Sequence, residues 1–207
     1  MNFPGTSNVD QMNEEVSISD ETLVGRARDG DRRAFETLVR RYEGRLFNYL
    51  RRVAGNAADA EDLFQETFVR VHTHLGRFRP GAPFKPWLYR IATNLSRDLL
   101  RSRRRHLMVS LNGGDRSESS TNPVIERVAN PGPGPDALAA ERELAAALED
   151  AVAQLPLKQR TVFLMARFEQ MSYEEIAGTL RIPVGTVKSR MNKAVTFLLG
   201  RLKEHGM

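Results

Sequence analysis

Residues 106–136 divide the chain into two parts. This segment is dominated by Ser, Gly, Asn and Pro and ends in Asn130-Pro131-Gly132-Pro133-Gly134-Pro135-Asp136. It has too few apolar side chains to offset the entropy lost when a backbone is ordered, and Pro-rich stretches extend rather than pack. We therefore predict a flexible linker at 106–136, with one small domain on each side within the 207 residues.

The part before the linker, residues 20–105, has the apolar spacing of four helices. Gly30 ends the first helix, Asp31 caps the second, and Gly55 ends the second. Turn-forming residues at 79–83 precede the fourth helix, in which Pro86 suits the first turn. The four helices are predicted at about 21–29, 32–54, 57–75 and 86–104.

The part after the linker, residues 137–205, also has helical spacing. Ser172-Tyr173-Glu174-Glu175 is a capping box that begins a helix of about two turns, and a tight connection at 181–183 leads into a longer helix. This order predicts a helix-turn-helix, whose second helix fits the DNA major groove. The alternative is an ordinary helical hairpin with a solvated charged face. The polar and basic side chains near the start of the second helix are Thr186, Lys188, Ser189, Arg190, Asn192 and Lys193. The predicted fold class is all-α.

Basic charge is concentrated in two segments. Residues 77–106 contain nine Lys and Arg and one acid, Asp98, while residues 181–203 contain six basic residues and no acid. The whole chain carries +5, so these segments of +8 and +6 leave −9 elsewhere. Two separated cationic helices indicate that the protein binds a long polyanion at two sites. Duplex nucleic acid is the usual partner of this kind.

One face of the fourth helix is a basic stripe. Arg90, Asn94, Arg97, Arg101 and Arg104 are spaced 4, 3, 4 and 3, which places them on one side of a helix. Such a stripe suits a phosphate backbone, and an Asn can pair with a base edge.

Aromatic and basic residues lie together beside the 79–83 loop, namely Phe78, Phe84 and Lys85. Single-stranded bases stack on aromatic rings in such surroundings. The region has three aromatic rings, Phe78, Phe84 and Trp87, and each could instead pack in the core. We favour core packing for Phe84 and Trp87. For Phe78 the two interpretations are balanced.

The third helix is acidic. Asp59, Glu61, Asp62 and Glu66 occur without a basic residue between 59 and 69, and Asp62, Gln65 and Glu66 share one side. One interpretation is a solvated face. The other is a docking surface for a basic protein partner, because an acidic face would be turned away from DNA.

The composition excludes several classes of site. The chain has no Cys, which rules out disulfides and thiolate chemistry, and its four His residues are scattered, so neither a metal nor a cofactor is predicted. Residues 1–19 contain acids, no basic residue and no long apolar run, which predicts a disordered acidic tail rather than a signal peptide. With no apolar run long enough to cross a bilayer, we predict a cytoplasmic protein without membrane insertion.

Four motifs in order resemble those of a known family. They are Asp59-Ala60-Glu61-Asp62-Leu63-Phe64-Gln65-Glu66, Trp87-Leu88-Tyr89-Arg90-Ile91-Ala92-Thr93-Asn94, Ser172-Tyr173-Glu174-Glu175-Ile176-Ala177 and Val184-Gly185-Thr186-Val187-Lys188-Ser189-Arg190. Together they resemble a bacterial extracytoplasmic-function (group four) RNA polymerase sigma factor of the sigma-E-like type, over residues 20–205.

The resemblance implies that residues 20–105 are sigma region 2, which would bind core polymerase and read and melt the minus-ten element. Residues 137–205 would be region 4, reading the minus-thirty-five element. Asp62, Gln65 and Glu66 match positions that dock on the beta-prime clamp helices of core RNA polymerase. Asn94, with Phe78 and nearby loop residues, matches the site that holds a flipped base of promoter DNA. Lys188, Ser189, Asn192 and Lys193 match the minus-thirty-five contacts. An anti-sigma partner is a family expectation.

The sequence pattern admits two other functions. A sigma mimic would sequester an anti-sigma factor without touching DNA, but it would not need the basic side chains of Arg90, Arg97 and Arg101. A metal nuclease would need carboxylates clustered in a cleft, whereas the acids at 59–66 lie apart from the basic faces. The chain is therefore predicted not to be an enzyme, and no catalytic residue is assigned.

Overall fold

The computed structural model describes the backbone of residues 18–112 and 135–204, and the side chains of residues 18–106 and 144–203. The N-terminal domain comprises α1 (Asp20–Arg28), α2 (Arg32–Ala54), α3 (Ala57–His74), a 3₁₀ turn (Leu75–Arg77) and α4 (Phe84–Asn112). The C-terminal domain comprises α5 (Pro135–Gln154), α6 (Leu157–Arg167), α7 (Tyr173–Leu180) and α8 (Val184–Glu204). The all-α fold in two helical domains is confirmed. None of the helices in these ranges is long and apolar enough to cross a bilayer.

Local signals set the helix ends of the N-terminal domain. Asp31 Oδ1 accepts hydrogen bonds from two backbone amides in the first turn of α2, at 3.0 and 3.2 Å, as predicted for a cap. Gly55 ends α2 with φ of +88°, a conformation that costs glycine little. Asn56 then begins α3 by accepting from the amide of Asp59 at 2.8 Å.

The core of the N-terminal domain lies between α2 and its neighbours α3 and α4. Leu38, Leu46 and Leu50 of α2 are completely buried there. The rings of Tyr49 and Tyr89 meet edge to face, with centroids 5.1 Å apart, and so join α2 to α4. Each of these leucine side chains contributes about 1.5–3 kcal/mol to the stability of the fold when it is fully buried. This core supports α4 from one side and leaves its basic side facing outward.

The C-terminal domain contains the predicted helix-turn-helix. Ser172 and Glu175 form the capping box, with the amide of Glu175 3.1 Å from Ser172 Oγ and the amide of Ser172 2.7 Å from Glu175 Oε2. Arg181 adopts a left-handed conformation, φ +53°, and so ends α7 and turns the chain into α8. The buried side chains of α8 are Val187, Met191, Ala194 and Leu198, which recur every three or four residues.

The fourth helix is longer than predicted. It begins at Phe84 rather than near Pro86 and continues to Asn112 rather than to about Arg104. No Gly or Pro interrupts the chain between Pro86 and Gly113, so composition alone placed the start of the linker too early. Most of the predicted acidic tail (1–17) and of the predicted linker (113–134) lies outside the described residues.

The two domains pack against each other. Helix α4 contacts α7, and α2 contacts both α5 and α6. The composition of residues 106–136 predicts two small domains joined by a flexible linker, and it gives no sign of contact between them. Their contact is therefore a feature that the composition did not predict, and it bears directly on the basic face of α4.

Candidate nucleic-acid interface

Helix α4 brings the predicted basic stripe together on one outward face. Asn94, Arg101 and Arg104 are exposed, and Arg90 and Arg97 are partly exposed. The opposite side of the helix is buried in the domain core through Leu88, Leu95 and neighbouring apolar residues. Arg101 pairs with Asp98 at 3.8 Å on the surface, a contact that solvent weakens. The stripe is therefore a largely solvent-facing array of cations.

A groove runs between the end of α3 and the start of α4. It encloses about 330 Å³ and is lined by Arg70, His74, Arg77, Trp87, Arg90, Ile91 and Asn94. An amide, an indole ring and several cations in one groove can contact a nucleotide through its base edge, its base face and its phosphate. Arg70 and His74 of α3 are groove residues that the sequence pattern does not identify, although their spacing of four places them on one side of a helix.

A second cavity of about 300 Å³ lies against the 79–83 loop. Arg79, Ala82 and Pro83 of the loop line it together with Trp87 and Arg90 of α4. Arg77, Trp87 and Arg90 line both cavities, so the two cavities are adjacent. Gly178 and Thr179 of α7 close the far side, so the C-terminal domain forms part of this cavity wall.

The aromatic rings at the loop are mostly internal. Phe84 is completely buried and Phe78 is 6% exposed, with its ring centroid 4.9 Å from that of Trp87. A ring buried in this way offers no free face to a base. In this arrangement Phe78 and Phe84 support the loop from beneath, which for Phe84 is the core interpretation favoured above. Trp87 is partly exposed and lines both cavities, so it is the ring best placed to meet a base.

Lys85 is engaged with the C-terminal domain. Its Nζ donates to the backbone carbonyl of Glu169 and lies 4.0 Å from the Glu169 carboxylate. Burial lowers the pKa of Lys85, and the nearby Arg45 guanidinium lowers it further. The prediction that Lys85 is a DNA contact therefore requires this side chain to leave Glu169.

The acidic face of α3 is exposed as predicted for Asp62, Gln65 and Glu66. Glu66 pairs with Arg70 at 2.7 Å, and Val69 beside them is 58% exposed. Asp59 does not belong to this face. It is 6% exposed and is held by Arg103 of α4 and by Asn56.

The start of α8 presents the predicted polar side chains to solvent. Lys188, Ser189, Asn192 and Lys193 are exposed, and Thr186 and Arg190 are partly exposed. All six lie within the first three turns, on the sides of the helix that the domain core does not cover. This geometry is that of a recognition helix in a helix-turn-helix.

Both domains match known family models. Sigma-70 region 2 matches residues 38–106, which include α4 and the acidic face of α3. Sigma-70 region 4 matches residues 145–198, which include α7 and the exposed start of α8.

Named proteins are similar over nearly the whole chain. The RNA polymerase sigma-H factor of Pseudomonas aeruginosa is 34% identical over 176 residues, 84% of this chain and 89% of that protein. The ECF RNA polymerase sigma factor SigW of Bacillus subtilis is 30% identical over 181 residues, 87% of this chain and 95% of that protein. Among solved structures, CnrH in complex with the cytosolic domain of CnrY is 28% identical, with a TM-score of 0.65 over 90% of this chain and 99% of that one. The chain belongs to the extracytoplasmic-function family of RNA polymerase sigma factors.

Proposed function

We propose that this protein is an alternative sigma factor that binds core RNA polymerase in the cytoplasm and directs promoter-specific initiation. The observation that carries the proposal is the agreement between the two family matches and the two basic surfaces. The stripe of α4 lies within the region 2 match, and the recognition helix lies within the region 4 match. The protein supplies recognition of the promoter, and the polymerase supplies the chemistry.

The C-terminal domain would read the minus-thirty-five element as duplex. The exposed side chains of Lys188, Ser189 and Asn192 offer both charged and neutral hydrogen-bonding groups to base edges in the major groove. Lys193 is exposed beside them. Thr186 and Arg190 are partly exposed on the same part of the helix and would contact the backbone phosphates. Phosphate contacts would position the helix, and base contacts would specify the sequence.

The N-terminal domain would read the minus-ten element as a melted strand. Arg97 and Arg101 on the outward face of α4 would hold phosphates, while Asn94 and Trp87 would receive an unstacked base in the groove beside them. Flipping a base costs a few kcal/mol, which stacking on a ring and edge hydrogen bonds must return. No nucleotide hydrolysis is needed if that return comes from binding within the polymerase complex.

Core polymerase would dock on the acidic face of α3. Asp62, Gln65 and Glu66 are exposed there, on a side of the domain formed by a different helix from the basic stripe. A basic partner surface would be attracted to this face, and the family positions point to the beta-prime clamp helices. The exposed Val69 adds an apolar contact beside the charges.

An anti-sigma factor is also proposed as a partner. CnrH, which resembles this chain in fold and sequence, was solved in complex with the cytosolic domain of CnrY.

A protein that only imitated a sigma factor would not require an exposed recognition helix with Lys188 and Lys193 directed to solvent.

An electrophoretic shift with core polymerase and promoter fragments tests the proposal. The protein and core polymerase together should retard a matching promoter, whereas either one alone should retard it much less. A protein that binds core polymerase but never adds promoter preference to it would be a mimic, and the proposal would be rejected.

A further inference from the structure

His74 forms part of the α3 wall of the groove that also holds Trp87 and Asn94. The histidine ring is partly exposed, and every residue that lines the groove belongs to the N-terminal domain. The groove is therefore open to a ligand while the two domains remain in contact. Its volume of about 330 Å³ lies at the small end of the range for ligand sites, which suits a single base.

One nitrogen of the His74 ring is already bonded within α3. Nδ1 lies 2.8 Å from the backbone carbonyl oxygen of Arg70, one turn earlier in the helix. A carbonyl oxygen can only accept a hydrogen bond, so Nδ1 carries the proton and donates it. In the neutral ring Nε2 then has no proton and is a hydrogen-bond acceptor. The bond to the helix backbone thus decides what His74 offers to a ligand.

Acceptors are scarce among the side chains that line the groove in the described part of the chain. The three arginines of the groove and Trp87 can only donate hydrogen bonds, and Ile91 is apolar. Asn94 can accept or donate, because its amide can turn to suit either partner. His74 Nε2 is therefore the acceptor of this lining that cannot change into a donor while the ring is neutral.

The arginines of the groove suit the phosphates of a strand. Arg77 is exposed and Arg90 is partly exposed, whereas Arg70 is engaged by Glu66 at 2.7 Å. Contacts to phosphates position a strand but carry no sequence information. Discrimination between bases in this groove therefore falls to His74 and Asn94.

A fixed acceptor recognises the hydrogen-bond donors of a base. Adenine and cytosine carry an exocyclic amino group where hypoxanthine and uracil carry a keto oxygen. The amino group can donate to Nε2 of His74. A keto oxygen at the same place would set two acceptors against each other and leave both without a partner.

We propose that His74 is a specificity-determining residue of this groove, and that its Nε2 accepts a hydrogen bond from the amino group of a captured adenine or cytosine. The inference deepens the proposed function and rests on it for the identity of the strand. Asn94 would hold the rest of the base edge from α4, and Trp87 would contact the base face. One base would thus be read from two helices.

Short single strands measure this preference without polymerase. Each strand is the same sugar-phosphate backbone with a single base at its centre, so that only the base differs. Cytosine is compared with uracil, and adenine with hypoxanthine, at about pH 8, where an ordinary imidazole is uncharged. Trp87 is the single tryptophan of the chain and lines the groove, so quenching of its fluorescence reports binding there.

The parent should bind the amino-bearing strand of at least one pair about two- to ten-fold more tightly, as expected for one neutral hydrogen bond. His74→Phe keeps an aromatic ring without an acceptor, so it should bind both strands equally and weakly. The amide of His74→Gln can turn to suit either base edge, so this variant should bind both strands equally but as tightly as the parent binds the amino-bearing one. His72→Phe, at an exposed histidine of α3 outside the groove, is the control and should keep the parent's preference.

Equal affinity of the parent for the two strands of each pair overturns the proposal, and so does a strand series that leaves Trp87 fluorescence unchanged. A preference that survives in His74→Phe has the same meaning. If that variant loses helix content, His74→Gln decides, and a preference that survives there overturns the proposal. Nitrogen NMR of the neutral His74 ring is a second check, because a proton on Nε2 instead of Nδ1 would also overturn it.

Transcription with core polymerase separates this inference from the proposed function. If the parent directs promoter-specific transcripts while the strands of each pair bind equally, base reading by His74 is rejected and the sigma function stands. If the preference for the amino group depends on His74 but the parent adds no promoter-specific transcript on any template, the base-reading groove stands and the sigma function is rejected.

Discussion

Tyr49 donates its hydroxyl proton to Thr93 Oγ1 across 2.8 Å in the core beneath the basic face of α4. The direction follows from the other bond of Thr93, which uses its single proton to reach the carbonyl of Tyr89 at 2.7 Å. Both side chains are buried, Tyr49 with 1% and Thr93 with 2% of its surface exposed. This chain of hydrogen bonds fixes α4 to α2.

Thr93→Val should therefore destabilise the protein more than Tyr49→Phe. The first change leaves the Tyr49 hydroxyl buried without an acceptor, which costs about 1–3 kcal/mol, whereas the second removes one ordinary hydrogen bond, worth about 0.5–1.5 kcal/mol. Urea unfolding measures both. Thr73→Val, whose hydroxyl bonds its own helix on the surface, is the control and should cost little. A smaller loss in Thr93→Val than in Tyr49→Phe would contradict this reading.

Lys188→Ala combined with Lys193→Ala should weaken promoter binding by the polymerase complex. Each positive charge removed from the DNA interface reduces the steepness of log affinity against log salt by up to about 0.9, so the loss of two charges is visible in a salt titration. Lys203→Ala, at the far end of the same helix, is the matched control and should leave the slope unchanged. Affinity for core polymerase should stay the same, and its loss would argue against the recognition-helix assignment.

Asp62→Arg should reduce binding to core polymerase, because it reverses a charge at the centre of the proposed docking face. The side chain is exposed, so the domain should remain folded. Glu43→Arg makes the same reversal at an exposed position of α2 and should bind core polymerase like the parent. Equal affinities of the two variants in a pull-down or anisotropy titration would place the docking face elsewhere.

Asn94→Ala should allow the polymerase to bind the promoter but reduce strand opening. Asn94 is exposed in the groove beside Trp87, where its amide can accept and donate to a base edge. Permanganate reactivity of thymines in the minus-ten region reports opening. Asn48→Ala, an exposed amide on α2, is the control. Undiminished reactivity in Asn94→Ala would remove the base-capture role.

The helices and both basic surfaces could be predicted from the sequence because they depend on local patterns. The caps at Asp31 and Ser172, and the apolar spacing of α2 and α8, are set within a few residues of chain. The end of α4 is predicted too early when residues 106–112 are grouped with the linker, because this stretch has no Gly or Pro to break a helix and contains four apolar residues.

The surroundings of individual side chains could not be predicted from local sequence patterns. Asp59 was counted among the surface acids, but it is buried because Arg103 approaches it from α4, a contact between residues 44 positions apart. The sequence pattern predicts that Lys85 contacts DNA, whereas in the structure its Nζ donates to the backbone carbonyl of Glu169 across the domain interface. The sequence shows which residues are basic, but packing between distant segments decides which of them can contact DNA.

Transcription in vitro tests the central claim most directly. Core polymerase with and without this protein is supplied with a library of genomic templates, and the starts of the RNA chains are sequenced. The account predicts a defined set of starts that depends on the protein, preceded by shared elements near minus ten and minus thirty-five, and lost in the Lys188→Ala, Lys193→Ala double variant. A pattern of starts that is the same with and without the protein would contradict it.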